Sequence, residues 1–224
     1  HVVRTIARVG IGKYQPYLSF ALGAGETTVA QMVNAYSALA NHGTQFAQSM
    51  IDYVQDRSGK VIWRADNRAC TQCNMPEWDG KPMPRFASRG NQVLDPRTAY
   101  QVVHMLEGVV QRGTAVVLSD LGLPLFGKTG TTQENRDALF IGFAGDLVVG
   151  VWVGRDDNKS LGRIVGGTVP AEIWRNFMEG YERKTTIGYG WMWYGERIEF
   201  YLLLFVKQNI NIYNSSAPFY GTSS

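Results

Sequence analysis

The sequence predicts an α+β fold in which an antiparallel sheet is flanked by helices, and three observations predict it. Residues 29–40 and 99–110 carry apolar side chains at i, i+3, i+4 and i+7 spacing, the mark of helices with one buried face. Three β-type runs follow close together at 125–132, 138–143 and 147–153, with Gly145-Asp146 between the last two. A third helical pattern then occupies about 169–179. The order helix, helix, strands, helix belongs to an α+β chain.

Each element carries its own boundary signals. Val29, Met32, Val33, Tyr36, Leu39 and Ala40 form the first stripe, with Thr27 or Thr28 as N-cap and Gly43 past the C-terminus. Residues 50–65 read as a hairpin, with Ile51, Tyr53 and Val54 before the turn Asp56-Arg57-Ser58-Gly59 and Val61, Ile62 and Trp63 after it. Residues 66–92 lose periodicity and collect Cys, Pro, Gly, Asn and Arg, so about 44–92 is expected to be a surface hairpin and loop insertion. Asp95-Pro96 opens the second helix, Asp as cap and Pro at the first position, and its stripe ends at Arg112-Gly113. Gly166-Gly167 lead into the last helix, which carries Ile173, Trp174, Phe177 and Met178.

Composition excludes several functions. The chain has 224 residues, 45% hydrophobic and 18% charged, which is enough for a core and unlike a disordered polymer. Its 22 basic and 19 acidic residues are dispersed, and the longest basic cluster is Arg183-Lys184, so no nucleic-acid footprint exists. No run of ~20 apolar residues is present to span a membrane. Cys70 and Cys73 form a lone C-x-x-C that could be a redox pair, half a zinc site or a small disulfide. A loop-stapling disulfide is the preferred reading, with two free thiols as its alternative.

The chemistry-bearing motif is Lys128-Thr129-Gly130, which continues as Thr131-Thr132. Thr129 and Thr131 stand two apart and therefore share one face of a strand, where both hydroxyls can donate. Lys128 supplies a positive field, and Gly130 removes a side chain where another group must approach closely. The three residues alone favour an edge strand with a surface lysine.

Their context decides between these readings. Residues 126–133 run on through Asn135, 137–143, 146–154 and Asp156-Asp157, and close with Gly166-Gly167-Thr168, Ala171 and Ile173-Trp174-Arg175. Upstream stand Leu22-Gly23, Ala35-Tyr36, 40–43, 93–96 and 106–115. In order and content residues 1–180 resemble the transpeptidase domain of class A (bifunctional) penicillin-binding proteins. The resemblance implies the fold shared by serine β-lactamases and penicillin-binding proteins, with its N-terminal part missing here.

It also implies a strand along a catalytic cleft, beside which a D-Ala-D-Ala stem peptide or a β-lactam lies. Lys128 and the hydroxyls of Thr129 and Thr131 would then meet a carboxylate, with Gly130 and Thr132 completing the substrate-binding set. The Thr131 N–H would be one of two oxyanion donors, stabilising the tetrahedral intermediate by a few kcal/mol. The implied partners are peptidoglycan stem peptides, with β-lactams as inhibitors and no cofactor, metal or nucleotide. The implied parent is membrane-anchored, faces the periplasm at the outer side of the inner membrane, and carries a glycosyltransferase domain upstream.

Such enzymes also need Ser-x-x-Lys and Ser-x-Asn before the third motif. No serine of the chain has lysine three positions later or asparagine two positions later. The expectation is therefore a fragment that begins after the second motif and is inactive alone. Residues 181–224 follow no pattern of the family and hold 11 of the 27 aromatic residues, so a shifted reading frame or a lineage-specific extension is expected there. Two rivals remain: a serine β-lactamase or D,D-carboxypeptidase, disfavoured by the long 44–92 insertion, and a non-catalytic wall-binding module.

Overall fold

The structure is a computed structural model that describes residues 1–65, 90–182 and 201–207. It opens with a short helix, α1 (Val2–Arg8), and a 3-10 turn at Leu18–Leu22, neither of which contributes a buried side chain. Helix α2 (Val29–Ala40) starts at Thr28, whose hydroxyl accepts from the Gln31 N–H at 3.2 Å while the Gln31 side chain accepts from the Thr28 N–H at 3.1 Å. This reciprocal capping satisfies two donors that every helix start leaves open. At its other end Gly43 takes φ +84, and its N–H returns to the Ala38 carbonyl at 2.7 Å. Glycine is required there twice over, since a Cβ would also stand 2.2 Å from the Leu94 carbonyl oxygen. Helix α3 (Pro96–Arg112) is capped by Asp95, which accepts from the Arg97 N–H at 2.8 Å.

The insertion has a defined neck. Strand β1 (Thr44–Gln45) pairs antiparallel with β4 (Asn91–Gln92), so the chain leaves and re-enters the body at one place. Between them stand β2 (Tyr53–Gln55) and β3 (Val61–Arg64), joined through the predicted turn at Asp56, whose carboxylate accepts from the N–H groups of Ser58 and Lys60. Residues 66–89 lie outside the described part, and with them Cys70 and Cys73.

The main sheet has four antiparallel strands: β5 (Phe126–Thr131), β6 (Asp137–Ala144), β7 (Leu147–Gly154) and β8 (Tyr201–Lys207), in that spatial order. The first three are the runs read from the sequence, and β8 comes from the tail to which that reading assigned no element. A continuous apolar run gives no period to recognise, and its register, Leu147 opposite Lys207 through Val153 opposite Tyr201, is set by β7. Helix α4 (Val169–Glu182) follows the glycine pair. Among the described residues no helix is long and apolar enough to cross a membrane.

Both faces of the sheet are covered, which explains why β6 and β7 are nearly wholly buried. On one face Phe140, Val149, Val151 and Val153 pack with Ala171, Trp174 and Met178 of α4 and with Ala115 and Leu118. Trp174 meets Phe140 edge-on, with ring centroids 5.5 Å apart at 81°. On the other face Ile141, Phe143 and Val148 pack with Val33 of α2 and Leu106 of α3. Alternate residues of β6 thus serve different helices, as a strand period of two requires.

Two fully buried polar atoms have no hydrogen-bond partner among the described residues: the Ser37 hydroxyl on α2 and the Trp174 indole N–H. Each is expected to cost about 1–3 kcal/mol. Ser37→Ala should therefore leave stability unchanged or raise it by ~1 kcal/mol, because alanine is also the better helix former. Trp174→Ala should lose ~3–5 kcal/mol, whereas Trp174→Phe should lose far less, since the unpaired donor goes with the lost volume. Urea denaturation of the three variants checks this, and a Ser37→Ala variant weaker by more than ~1 kcal/mol would show that the hydroxyl has a partner.

Candidate functional site

Strand β5 ends the sheet, so one of its flanks pairs with β6 and, among the described residues, no strand pairs with the other. Which main-chain groups face the open flank follows from the register. The Thr132 N–H donates to the Asp137 carbonyl at 3.0 Å, and Thr131 stands opposite Ala138. Antiparallel pairs alternate between bonded and non-bonded, so Thr131 belongs to a non-bonded pair and directs its N–H and C=O outward. Two residues back, Thr129 opposite Phe140 does the same. Its carbonyl already has one partner on that side, the Lys128 ammonium, which donates to it at 2.8 Å.

The side chains divide by face. Phe126, Lys128 and Gly130 lie on the side of α2 and α3, where Phe126 stacks on Phe143 with centroids 5.0 Å apart. Gly127, Thr129 and Thr131 lie on the side of α4, as their partners Gly142, Phe140 and Ala138 require. A Cβ at Gly127 would stand 2.5 Å from the Phe140 ring. At Gly130 it would meet the Leu139 side chain at an ordinary 3.5 Å, so the described residues do not themselves demand glycine there. The close approach expected at Gly130 occurs instead from the other side, where Gly166 rests on the strand: a Cβ on Gly166 would fall 2.6 Å from the Gly130 oxygen and 2.4 Å from that of Leu139. Gly130 has no side chain and that of Leu139 packs on the α2–α3 side, which leaves a bare strip of backbone for Gly166.

The two threonine hydroxyls share a face, as the spacing predicts, and each already has a protein partner. The Gly166 N–H donates to Thr131 Oγ1 at 3.1 Å, and Thr129 Oγ1 lies 2.7 Å from Thr114 Oγ1. Thr132 is occupied differently. Its hydroxyl accepts from the Asp137 N–H at 2.8 Å and reaches the Asp137 carboxylate at 3.1 Å, while the other carboxylate oxygen accepts from the Trp152 indole N–H at 3.0 Å. Thr132 therefore closes the β5–β6 turn.

That turn is tied to the segment 155–168. Asn135 donates its side-chain amide to the Gly162 carbonyl at 2.7 Å and accepts at its own carbonyl from the Leu161 N–H at 2.7 Å; the Ser160 hydroxyl donates to the Glu134 carbonyl at 2.7 Å. Glu134 and Asn135 hold φ of +59 and +52 to make these bonds. Where the segment begins, hydrogen bonds from Arg155 and Lys159 keep the Asp157 carboxyl well below the usual carboxylate range. On the far side Arg175 of α4 donates to the Val117 carbonyl at 3.0 Å and pairs with Asp120 at 2.9 Å, fixing the 3-10 turn Val116–Leu121 that follows Thr114.

The structure thus brings Lys128, Thr129 and Thr131 together at one free edge and adds Thr114 and Gly166. Both of these stand in stretches that resemble the family, but nothing local marks them, since their contacts span 15 and 35 residues of sequence. A separate apolar cavity of about 180 Å³, lined by Leu39, His42, Tyr100, Phe126 and Phe143, lies at the opposite end of β5.

Comparison with known proteins identifies the family and the fold. Residues 11–179 match the family described as penicillin binding protein transpeptidase domain. The chain is 39% identical over 181 residues to penicillin-binding protein 1A of Rickettsia bellii, covering 79% of this chain and 23% of that protein. To penicillin-binding protein 1A of Neisseria meningitidis it is 36% identical over 192 residues, again 79% of this chain and 22% of the relative. The chain therefore spans about a quarter of the length of these relatives. Among solved structures, penicillin-binding protein 1A of Haemophilus influenzae superposes with a TM-score of 0.66 at 25% identity, covering 84% of this chain and 31% of that one. PonA1 of Mycobacterium tuberculosis superposes with a TM-score of 0.60 at 25% identity, covering 78% of this chain and 47% of that one. An antiparallel sheet between helices is thus matched by both sequence and structure, and the chain belongs to the penicillin-binding transpeptidases of class A.

Proposed function

We propose that this chain is part of a peptidoglycan D,D-transpeptidase and supplies one wall of its acyl-transfer cleft. The free flank of β5 carries the proposal. It offers an outward N–H at Thr131, with the Thr129 and Thr131 hydroxyls on one face and the Lys128 ammonium beside them. A stem peptide ending in D-Ala-D-Ala can lie along such an edge as an added strand, its terminal carboxylate meeting the hydroxyls in the field of Lys128. A β-lactam presents the same carboxylate and a reactive carbonyl.

The chemistry is acyl transfer through a covalent intermediate. A serine oxygen attacks the carbonyl of the penultimate D-alanine and forms a tetrahedral oxyanion; the Thr131 N–H then donates to it. Collapse breaks the amide bond and releases D-alanine, which takes up a proton. An amine of a second stem peptide displaces the serine and completes the cross-link. The nucleophile and its lysine, from a Ser-x-x-Lys segment, and the Ser-x-Asn motif have no counterpart in these 224 residues. We place them in another part of a longer, membrane-anchored protein acting in the periplasm, and no step here needs a metal or cofactor. The absence of both motifs also favours a second reading, in which the chain alone only binds stem peptides or wall material.

Two outcomes test the proposal. The 224-residue chain should form no covalent adduct with a fluorescent penicillin, because none of its serines has a lysine partner; a labelled band that unlabelled penicillin abolishes would overturn the assignment of the nucleophile elsewhere. In the longer protein, Lys128→Ala or Thr129→Ala should slow acylation by a β-lactam roughly ten- to a hundredfold, as expected for losing a charge-assisted bond of ~1.5–3 kcal/mol. An effect below about threefold would return the motif to an ordinary edge strand.

A further inference from the structure

The hydroxyls of Thr129 and Thr131 can serve a carboxylate only as donors, because a carboxylate has no proton to give. A threonine hydroxyl holds one proton and two acceptor positions and rotates to suit its surroundings. Left alone, such a hydroxyl would spend part of its time pointing its proton at the nearest carbonyl. The structure removes that freedom at Thr131, where the Gly166 N–H occupies an acceptor position from 3.1 Å. That contact depends on Gly166 lying flat on the Gly130–Leu139 ladder, where any side chain would collide with backbone.

Thr129 has an equivalent neighbour in Thr114, with the two oxygens 2.7 Å apart. Thr114 is itself held: Gly167 sits so close that a Cβ there would stand 2.1 Å from the Thr114 carbonyl oxygen, and Arg175 clamps the turn that follows. We propose that Thr114 is a positioning residue for acyl-donor recognition: its hydroxyl donates to Thr129 as the Gly166 N–H donates to Thr131, so that both strand hydroxyls present their protons to the substrate carboxylate. Each hydroxyl, by accepting one bond, also becomes the stronger donor for the next. The inference rests on the reading above that Thr129 and Thr131 bind that carboxylate. The opposite polarity, Thr129 donating to Thr114, would make Thr114 a competitor of the substrate.

The test uses the longer transpeptidase and compares acylation by a penicillin with acylation by its carboxylate methyl ester. The acid-to-ester ratio of rates is independent of how much protein is folded, so a poorly folding variant still reports. Thr114→Val should lower the ratio about three- to tenfold, the range of one neutral hydrogen bond; Thr114→Ser should restore it; and Thr114→Val added to Thr129→Val should lower it no further. The inference is overturned if Thr114→Val leaves the ratio unchanged or raises it, if it slows acid and ester alike, or if its effect persists in full without Thr129. If Thr129→Val itself leaves the ratio unchanged, the reading of the hydroxyls as carboxylate donors falls first. A ratio that responds to Thr129→Val but not to Thr114→Val refutes the role of Thr114 alone.

Discussion

A β-strand can offer its backbone to a ligand only where no other strand has taken it, and β5, one of the two edge strands of this sheet, is such a place. The rest of the fold works to keep it so. Strands β6 and β7 are enclosed between α4 on one side and α2 and α3 on the other, and β8 adds to the far edge. Among the described residues no strand pairs with the flank bearing the outward groups of Thr129 and Thr131.

An unpaired flank is a liability, because it invites any extended segment, including that of a second copy. Lys128 answers part of this problem. Its side chain leaves the strand on the α2–α3 side yet turns back to donate to the Thr129 carbonyl, placing a charge across the open edge. A neutral strand pairing there would have to displace or desolvate the Lys128 ammonium, whereas an anionic peptide terminus gains from its charge. Discrimination between productive and unproductive partners can thus begin with the residue that guards the edge.

Rigidity at the site comes from segments far apart in the chain. The β5–β6 turn is bonded to residues 160–162, Gly166 rests on the ladder, and Thr114 is locked between Gly167 and the turn that Arg175 holds. Two of these supports, Gly166 on the ladder and Gly167 against Thr114, come so close only because they lack side chains. Asp137 adds an anchor at the end of the strand by accepting from both Thr132 and Trp152.

Local chemistry in the sequence was sufficient for the helices, the hairpins and the motif. Thr28, Asp95-Pro96 and Gly43 are capping signals whose physics acts over four residues, and the spacing of Thr129 and Thr131 places them on one face wherever the strand lies. The family, too, was legible in the order of stretches around Lys128-Thr129-Gly130. Tertiary structure alone decided the rest. It made β5 an edge strand, brought a strand from the tail onto β7, tied Thr132 to Asp137 in the turn, and set Thr114 and Gly166 against the two hydroxyls. Periodicity records which side of an element is apolar, but not which distant backbone will rest on it. The contact between Gly166 and Thr131 joins residues 35 apart across a strip of ladder that is bare because Gly130 has no side chain and that of Leu139 faces the other way.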